Sequence, residues 1–313
     1  MAGSAARAGM FSGLAGRHVG LIARFGARFA VRTGGGLVFL FLLVLTCLVV
    51  AWLFIAPVEN ILASPIAQEA GRERGREITT SEAFEEISKL EGFRTLVKWV
   101  TGGDAAQVDY LLVASPALLS TIFLVLLMLM PYLACFGGFN QTSGDIGNRG
   151  MRYLLLRTER ANIFAGRFVA TVLFGALYLA VMIALLLAYV GLKLQVYGWD
   201  ALLAWGAQGY VAVLLLTLPY LALCSWISAA IDSPFGSLVL CLVVTGGPVA
   251  VLAGTSMVAR FDFDTWARVL PWGWKYELLS GDAGTRLAAV GMMLVFTAFF
   301  FLLGLRTFHK RDL

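Results

Sequence analysis

Charge is scarce in this chain. Of its 313 residues only 14% are Asp, Glu, Lys or Arg, against 59% hydrophobic, and the mean hydropathy is +0.82. A soluble domain carries close to a quarter charged residues, so too few are present to coat a soluble protein of this size. Disorder needs the opposite composition and is excluded with it. Histidine occurs only as His18 and His309, neither with a companion ligand at metal spacing. The four cysteines, Cys47, Cys135, Cys224 and Cys241, lie in or next to apolar runs and far apart. They read as small core residues rather than a disulfide framework or redox pair. No Gly-x-x-x-x-Gly-Lys-Ser/Thr segment exists, so the chain cannot cradle ATP phosphates by that route. What remains is a polytopic membrane protein.

A helix needs about 20 apolar residues to cross the hydrocarbon core. Six runs free of Asp, Glu, Lys and Arg meet that need: Leu37–Pro57, Tyr110–Gln141, Phe168–Leu192, Ala201–Ile231, Ser233–Ala259 and Leu287–Leu305. They are apolar on all sides, whereas barrel strands alternate. The expected fold class is an all-α membrane protein with six transmembrane helices. Pro131, Pro219 and Gly246-Gly247-Pro248 fall inside three runs and predict kinks or local unwinding. No carboxylate or other charged residue interrupts a run, which argues against an ion-coupled carrier and a membrane hydrolase. The first run begins after a long arm and is too long for the core of a signal peptide, so no cleaved leader is expected.

Loop charge sets the orientation. The arm, the loop between the second and third runs, the turn at Asp232 and the tail together hold 13 basic and 4 acidic residues; the opposite side holds 11 and 15. The positive-inside rule places both termini in the cytoplasm. Seven tryptophans, among them Trp52, Trp199, Trp266, Trp272 and Trp274, fall at or near the outer side, where they anchor at the interface. The inner basic residues face anionic headgroups; nucleic acid is not an expected partner.

The chain divides into a cytoplasmic arm, 1–36, and a transmembrane domain, 37–313. Within the arm, Gly13–Thr33 reads as an in-plane amphipathic helix. Leu14, Leu21, Ile22, Phe25 and Phe29 recur on one side, flanked by Arg17, Arg24, Arg28 and Arg32. The outer loop 58–109 is hydrophilic, with a helix expected from Ser81. The loop 140–160 is short, cationic and helix-forming around Met151–Arg157. The outer segment 260–286 carries Trp266, Trp272, Trp274 and Tyr276 around Pro271 and Gly273. It is read either as an ordinary interfacial loop or as short, re-entrant helices.

These features together resemble the ABC-2 type permeases, the membrane subunits of ABC exporters. In that family the second-to-third loop reads Glu-x-x-x-Gly-Thr-Leu-x-x-Leu-Leu-x-x-Pro-x-x-Arg, then a further base. Here Asp145 to Gly150 resembles the acidic-to-glycine start, and Leu154-Leu155-Leu156 the leucine core. Arg160 resembles the closing arginine and Arg167 the later base. Met151-Arg152 stand in place of Thr-Leu, and Thr158 stands near the usual proline. The tail Arg311-Asp312-Leu313 is similar to an ending common there.

The resemblance implies a type V exporter-like architecture in a bacterial inner membrane. It implies a second permease copy as a homodimer, or a sister permease, seated on two ABC ATPase subunits that bind ATP and Mg. This chain would itself bind no cofactor and catalyse no reaction. Asp145, Arg149, Gly150, Arg152, Arg157, Arg160 and Arg167 would form the ATPase-coupling loop. The alternative is a force-transmitting or anchoring subunit that exports nothing, works with an ATPase and binds an outer partner through loop 58–109.

Overall fold

A computed structural model of the chain describes residues 16–32, 41–46, 48–49, 52, 91, 94–95, 97–98, 105–148, 150–194, 197–259 and 263–311. These residues form no β-strand, and five helices are long and apolar enough to cross a membrane. The chain is an all-α, multi-pass membrane protein.

Helix α1, Gly16–Arg32, is followed by α2, Ala105–Asp109, which continues as one π-helical turn, Tyr110–Ala114. The first long helix is α3, Ala117–Gly138; two short helices, α4 (Ser143–Gly147) and α5 (Met151–Leu155), lead to α6, Arg160–Leu194. Then come α7, Trp199–Ala230, α8, Pro234–Ala259, a short α9, Phe263–Ala267, two 3₁₀ turns at Pro271–Trp274 and Glu277–Leu279, and α10, Ala283–Lys310.

Five of the six predicted runs coincide with these long helices. The first, 37–57, lies largely outside the described residues; its described residues are helical, and Leu43 is buried with Met130, Ala134 and Phe174 around a small apolar pocket. The loop 58–109 lies outside the described residues up to residue 105, apart from Glu91, Arg94, Thr95, Val97 and Lys98.

Three boundaries differ from the sequence reading. The second run breaks at Ser115-Pro116, because a proline closes a helix start far more easily than it sits inside one. Helix α6 begins eight residues before its charge-free run, so Arg160 and Arg167 belong to the helix. Helix α10 extends its run at both ends, capped by Asp282, whose carboxylate accepts from the Thr285 N–H at 2.7 Å. The predicted unwinding is absent: α3, α7 and α8 stay helical through Pro131, Pro219 and Pro248.

Helices α3 and α7 form the centre. Their apolar windows are 72% buried, against 17% for those of α8 and α10, whose outward side chains suit lipid or another apolar surface. Small residues set the closest approaches. A Cβ on Gly209 of α7 would lie 2.3 Å from the ring of Phe123 on α3. Hydroxyls inside the spans turn back on their own helix, as Thr217 does to the Val213 carbonyl at 2.6 Å, which satisfies them without water.

Candidate functional site

At the basic end, the turn leaving α3 is stapled to the ends of α7 and α8. Ser228 Oγ accepts hydrogen bonds from the backbone N–H groups of Thr142 and Ser143, each at 2.9 Å. Gln141 donates to the Leu221 carbonyl at 3.2 Å and accepts from Ser225. Ser237 on α8 donates to the Phe139 carbonyl at 2.8 Å. Gly147 admits the chain closely: a Cβ there would lie 2.6 Å from the Asp232 carbonyl oxygen. Buried polar groups need partners, so this lattice fixes where α4 and α5 emerge.

Helix α5 is mounted on its own small core. Met151, buried to 1% exposure, joins Ile146, Phe164, Ala229, Leu305 and Phe308 in a cluster separate from the main one. Ile22 of α1 and Leu154 and Leu155 pack against it. Arg152, Tyr153, Leu156 and Arg157 are exposed, Tyr153 to 76% and Leu156 to 84%.

The predicted coupling residues therefore fall into two groups. Arg152 and Arg157 are exposed at the surface, without an ion pair among the described residues. Asp145 pairs with Arg167 and ties α4 to α6. Arg160 donates to the carbonyls of His309 at 2.8 Å and Arg311 at 2.6 Å. Arg311 in turn donates to the Ala229 carbonyl and pairs with Asp232. Gly150 immediately precedes α5, and Arg149 lies outside the described residues.

Helix α1 forms where the amphipathic pattern predicts it, but it lies lengthwise along the start of α6. His18 reaches Thr158 at 3.3 Å, Ile22 lies against Gly166 and Gly26 against Ala170, so the two helices run in the same direction. Its tilt therefore follows that of α6. Leu21 and Phe25 are exposed beside Arg17 and Arg24, an apolar face flanked by cations. Arg28, Phe29 and Arg32 belong to the helix, and their side chains lie outside the described residues.

At the opposite end the aromatic segment folds into short helices that dip into the bundle. Trp272 meets Tyr132 of α3 edge-on, ring centres 6.0 Å apart, and Tyr132 lies against Gly246, midway along α8. The segment thus packs against α3, next to the middle of α8. Trp272 and Tyr276 are buried, Trp274 is half-buried and donates to the Arg268 carbonyl at 2.8 Å, and Trp266 is exposed. A Cβ at Gly273 would lie 2.3 Å from the backbone of Ala267, so only glycine fits that turn.

Between the aromatics sits Lys275, which sequence reasoning passed over. It is buried with its ammonium 4.3 Å from the Trp272 ring centre and 4.1 Å from that of Tyr276, and it donates to the Trp272 carbonyl. Burial pushes the Tyr276 phenol up to about 12. Burial also raises the Glu277 carboxyl, against the opposing pull of Arg268 at 2.9 Å. On α7, Trp205 Nε1 and Gln208 Nε2 are buried without a hydrogen-bond partner among the described residues, two donors one turn apart.

Three of the cysteines are small buried core residues, as the sequence reading has them, but they are not far apart in space. Cys135, Cys224 and Cys241, distant in sequence, meet where α3, α7 and α8 converge. All three belong to the main buried cluster, and Cys135 Sγ lies 3.3 Å from Thr245 Oγ1. All three are free thiols, and among the described residues no His, Cys, Asp and Glu group is arranged to hold a metal ion. Cys47 lies outside the described residues.

The chain matches no protein-family model and no curated protein. Its function is read from these arrangements.

Proposed function

We propose that this chain is the transmembrane permease subunit of an ATP-driven ABC-2 type transporter, working as an exporter. Separate ABC ATPase subunits bind the ATP and Mg, and a second permease copy completes the assembly. The basic end faces the cytoplasm of a bacterial inner membrane, with both termini on that side.

The observation that carries this reading is the mounting of α5. An exposed patch of Arg152, Tyr153, Leu156 and Arg157 stands on a short helix whose Met151 is locked into the cluster that joins α1, α6, α7 and α10. Exposed apolar side chains ringed by charge mark a protein-binding surface. Force applied at Tyr153 and Leu156 passes through Met151 to four helices at once, because a close-packed cluster transmits displacement rather than absorbing it. The chain has no phosphate-binding loop to generate that force, so an ATP-hydrolysing partner is assigned to the patch. On the far side, the aromatic segment around Trp272 and the donors of Trp205 and Gln208, unpaired among the described residues, are where a cargo would meet the moving helices.

The test is co-expression with ATPase subunits from the same organism. The expected result is a stable complex that hydrolyses ATP, while the isolated chain does not. Tyr153→Ala with Leu156→Asp abolishes the association and leaves insertion and thermal stability unchanged. Full association of that double variant, or labelling of a cysteine placed at position 153 by an impermeant reagent outside intact cells, overturns the reading.

A further inference from the structure

The chain's two histidines come from opposite ends of the sequence and line one open cleft of about 650 Å³ at the basic end. His18 on α1, His309 at the end of α10, and Arg157, Thr158 and Arg160 where α6 begins all face it, with Leu155 and the buried Asn162 completing the wall. Glu159 is the one acid of the lining among the described residues.

Several features converge on one ligand chemistry. Two guanidinium groups outweigh one carboxylate before either imidazole is counted. Arg160 is held in place by the carbonyls of His309 and Arg311. The Arg157 guanidinium has no hydrogen bond or ion pair among the described residues and is exposed at the mouth. Thr158 already shares a hydrogen bond with His18, which positions both. The cleft also opens at the start of a long helix, whose first N–H groups have no intrahelical acceptor. Guanidinium, imidazole, hydroxyl and amide donors around one space suit a compact anion with several acceptor oxygens.

Depth narrows the source. His309 lies four residues beyond Leu305, the end of the charge-free run, or about 6 Å along the helix. The polar headgroup layer on one side of a bilayer spans about that distance.

We propose that this cleft binds a phosphate group, that of an anionic phospholipid headgroup, with Arg157 as its principal cationic contact. The site clamps α1 to the junction of α5, α6 and α10 from the lipid side. It shares Arg157 with the patch proposed to dock the ATPase, but its test is separate, because lipid stabilisation of the isolated chain involves neither Tyr153 nor Leu156.

The test uses the full-length protein purified in a neutral detergent, titrated with dioctanoyl phosphatidic acid, dioctanoyl phosphatidylcholine or inorganic phosphate, with thermal stability as the readout. Phosphatidic acid is expected to stabilise saturably and phosphatidylcholine not at all. Arg157→Gln weakens the apparent affinity by about tenfold, as loss of one charge-assisted contact does. Leu155→Trp, which fills the cleft without changing charge, has a similar effect. Glu159→Gln tightens binding several-fold, a gain that misfolding cannot imitate. Arg306→Gln, on the exposed side of α10, changes nothing. Inorganic phosphate acting alone with this same pattern of variants upholds the phosphate site and makes its source soluble. Equal responses to phosphatidic acid and phosphatidylcholine, an unaltered affinity in Glu159→Gln, or an equal loss in Arg306→Gln overturns the proposal.

Discussion

The guanidinium of Arg160, in the first turn of α6, donates to the main-chain carbonyl of His309, in the last turn of α10, at 2.8 Å. The last carbonyls of a helix have no intrahelical donor, and here an arginine from another span supplies one. Arg160→Met removes that donor while keeping much of the stem's packing. The expected cost is about 1 kcal/mol, the low end for charge-assisted bonds because the pair is partly exposed. Hydrogen exchange should speed up at residues 308–311 and remain unchanged in the centre of α7. Unaltered exchange at the α10 end would show that the contact is not holding it.

Gly209 offers a sharper packing test. A Cβ there would lie 2.3 Å from the ring of Phe123, which is fully buried and would have to shift within the core. Gly209→Ala should therefore destabilise by about 1–3 kcal/mol through overpacking. Gly254→Ala, on α8 with nothing within 4 Å of the added methyl, should be neutral or stabilising. Thermal unfolding in one detergent reads both; the same sign for the two changes would contradict the close α3–α7 contact.

Asp282 gives a pH dependence with a definite sign. Hydrogen bonds from the Thr285 hydroxyl and backbone N–H groups hold its carboxyl below the usual aspartate range. A carboxyl lowered in the folded state stabilises the fold at pH above its unfolded value. That contribution disappears as pH falls through the ordinary carboxylate range toward the lowered folded value. Asp282→Ala should flatten this part of the acid limb and loosen the start of α10. The comparison is thermal stability of the two proteins between pH 7 and pH 3, with the gap narrowing as the pH falls.

Much of this architecture was legible because hydrophobic runs and helix ends are local properties. Charge-free stretches located α3, α6, α7, α8 and α10, and the Leu21, Ile22 and Phe25 spacing located α1. What the sequence concealed was depth. Cys135, Cys224 and Cys241 converge because three spans place them at one level, and spacing along the chain carries no such coordinate. His18 and His309 share a cleft for the same reason. Arg160 and Arg167 read as loop residues because charge ends an apolar run, yet a helix continues past the hydrocarbon for as long as its backbone bonds are satisfied. Lys275 did leave a signal, a lone base flanked by Trp272, Trp274 and Tyr276. The aromatic reading absorbed it.

Ser228 connects the packing to the proposed coupling. Its Oγ accepts from two consecutive backbone N–H groups, Thr142 and Ser143, at the entrance to α4. Ser228→Ala leaves both donors buried without that acceptor, and an unpaired buried donor costs about 1–3 kcal/mol. The loss falls on the attachment of α4 to α7, while Met151 still anchors α5 and Tyr153 and Leu156 stay exposed. An ATPase docking on α5 should therefore bind this variant nearly as well as wild type. Transmission to α7 should weaken, so transport per ATP hydrolysed falls although the complex forms. Hydrogen exchange at Thr142 and Ser143 checks the local loosening first. If those amides exchange faster while transport per ATP is unchanged, force does not travel through the α4–α7 staple, and the path through the Met151 cluster alone carries it.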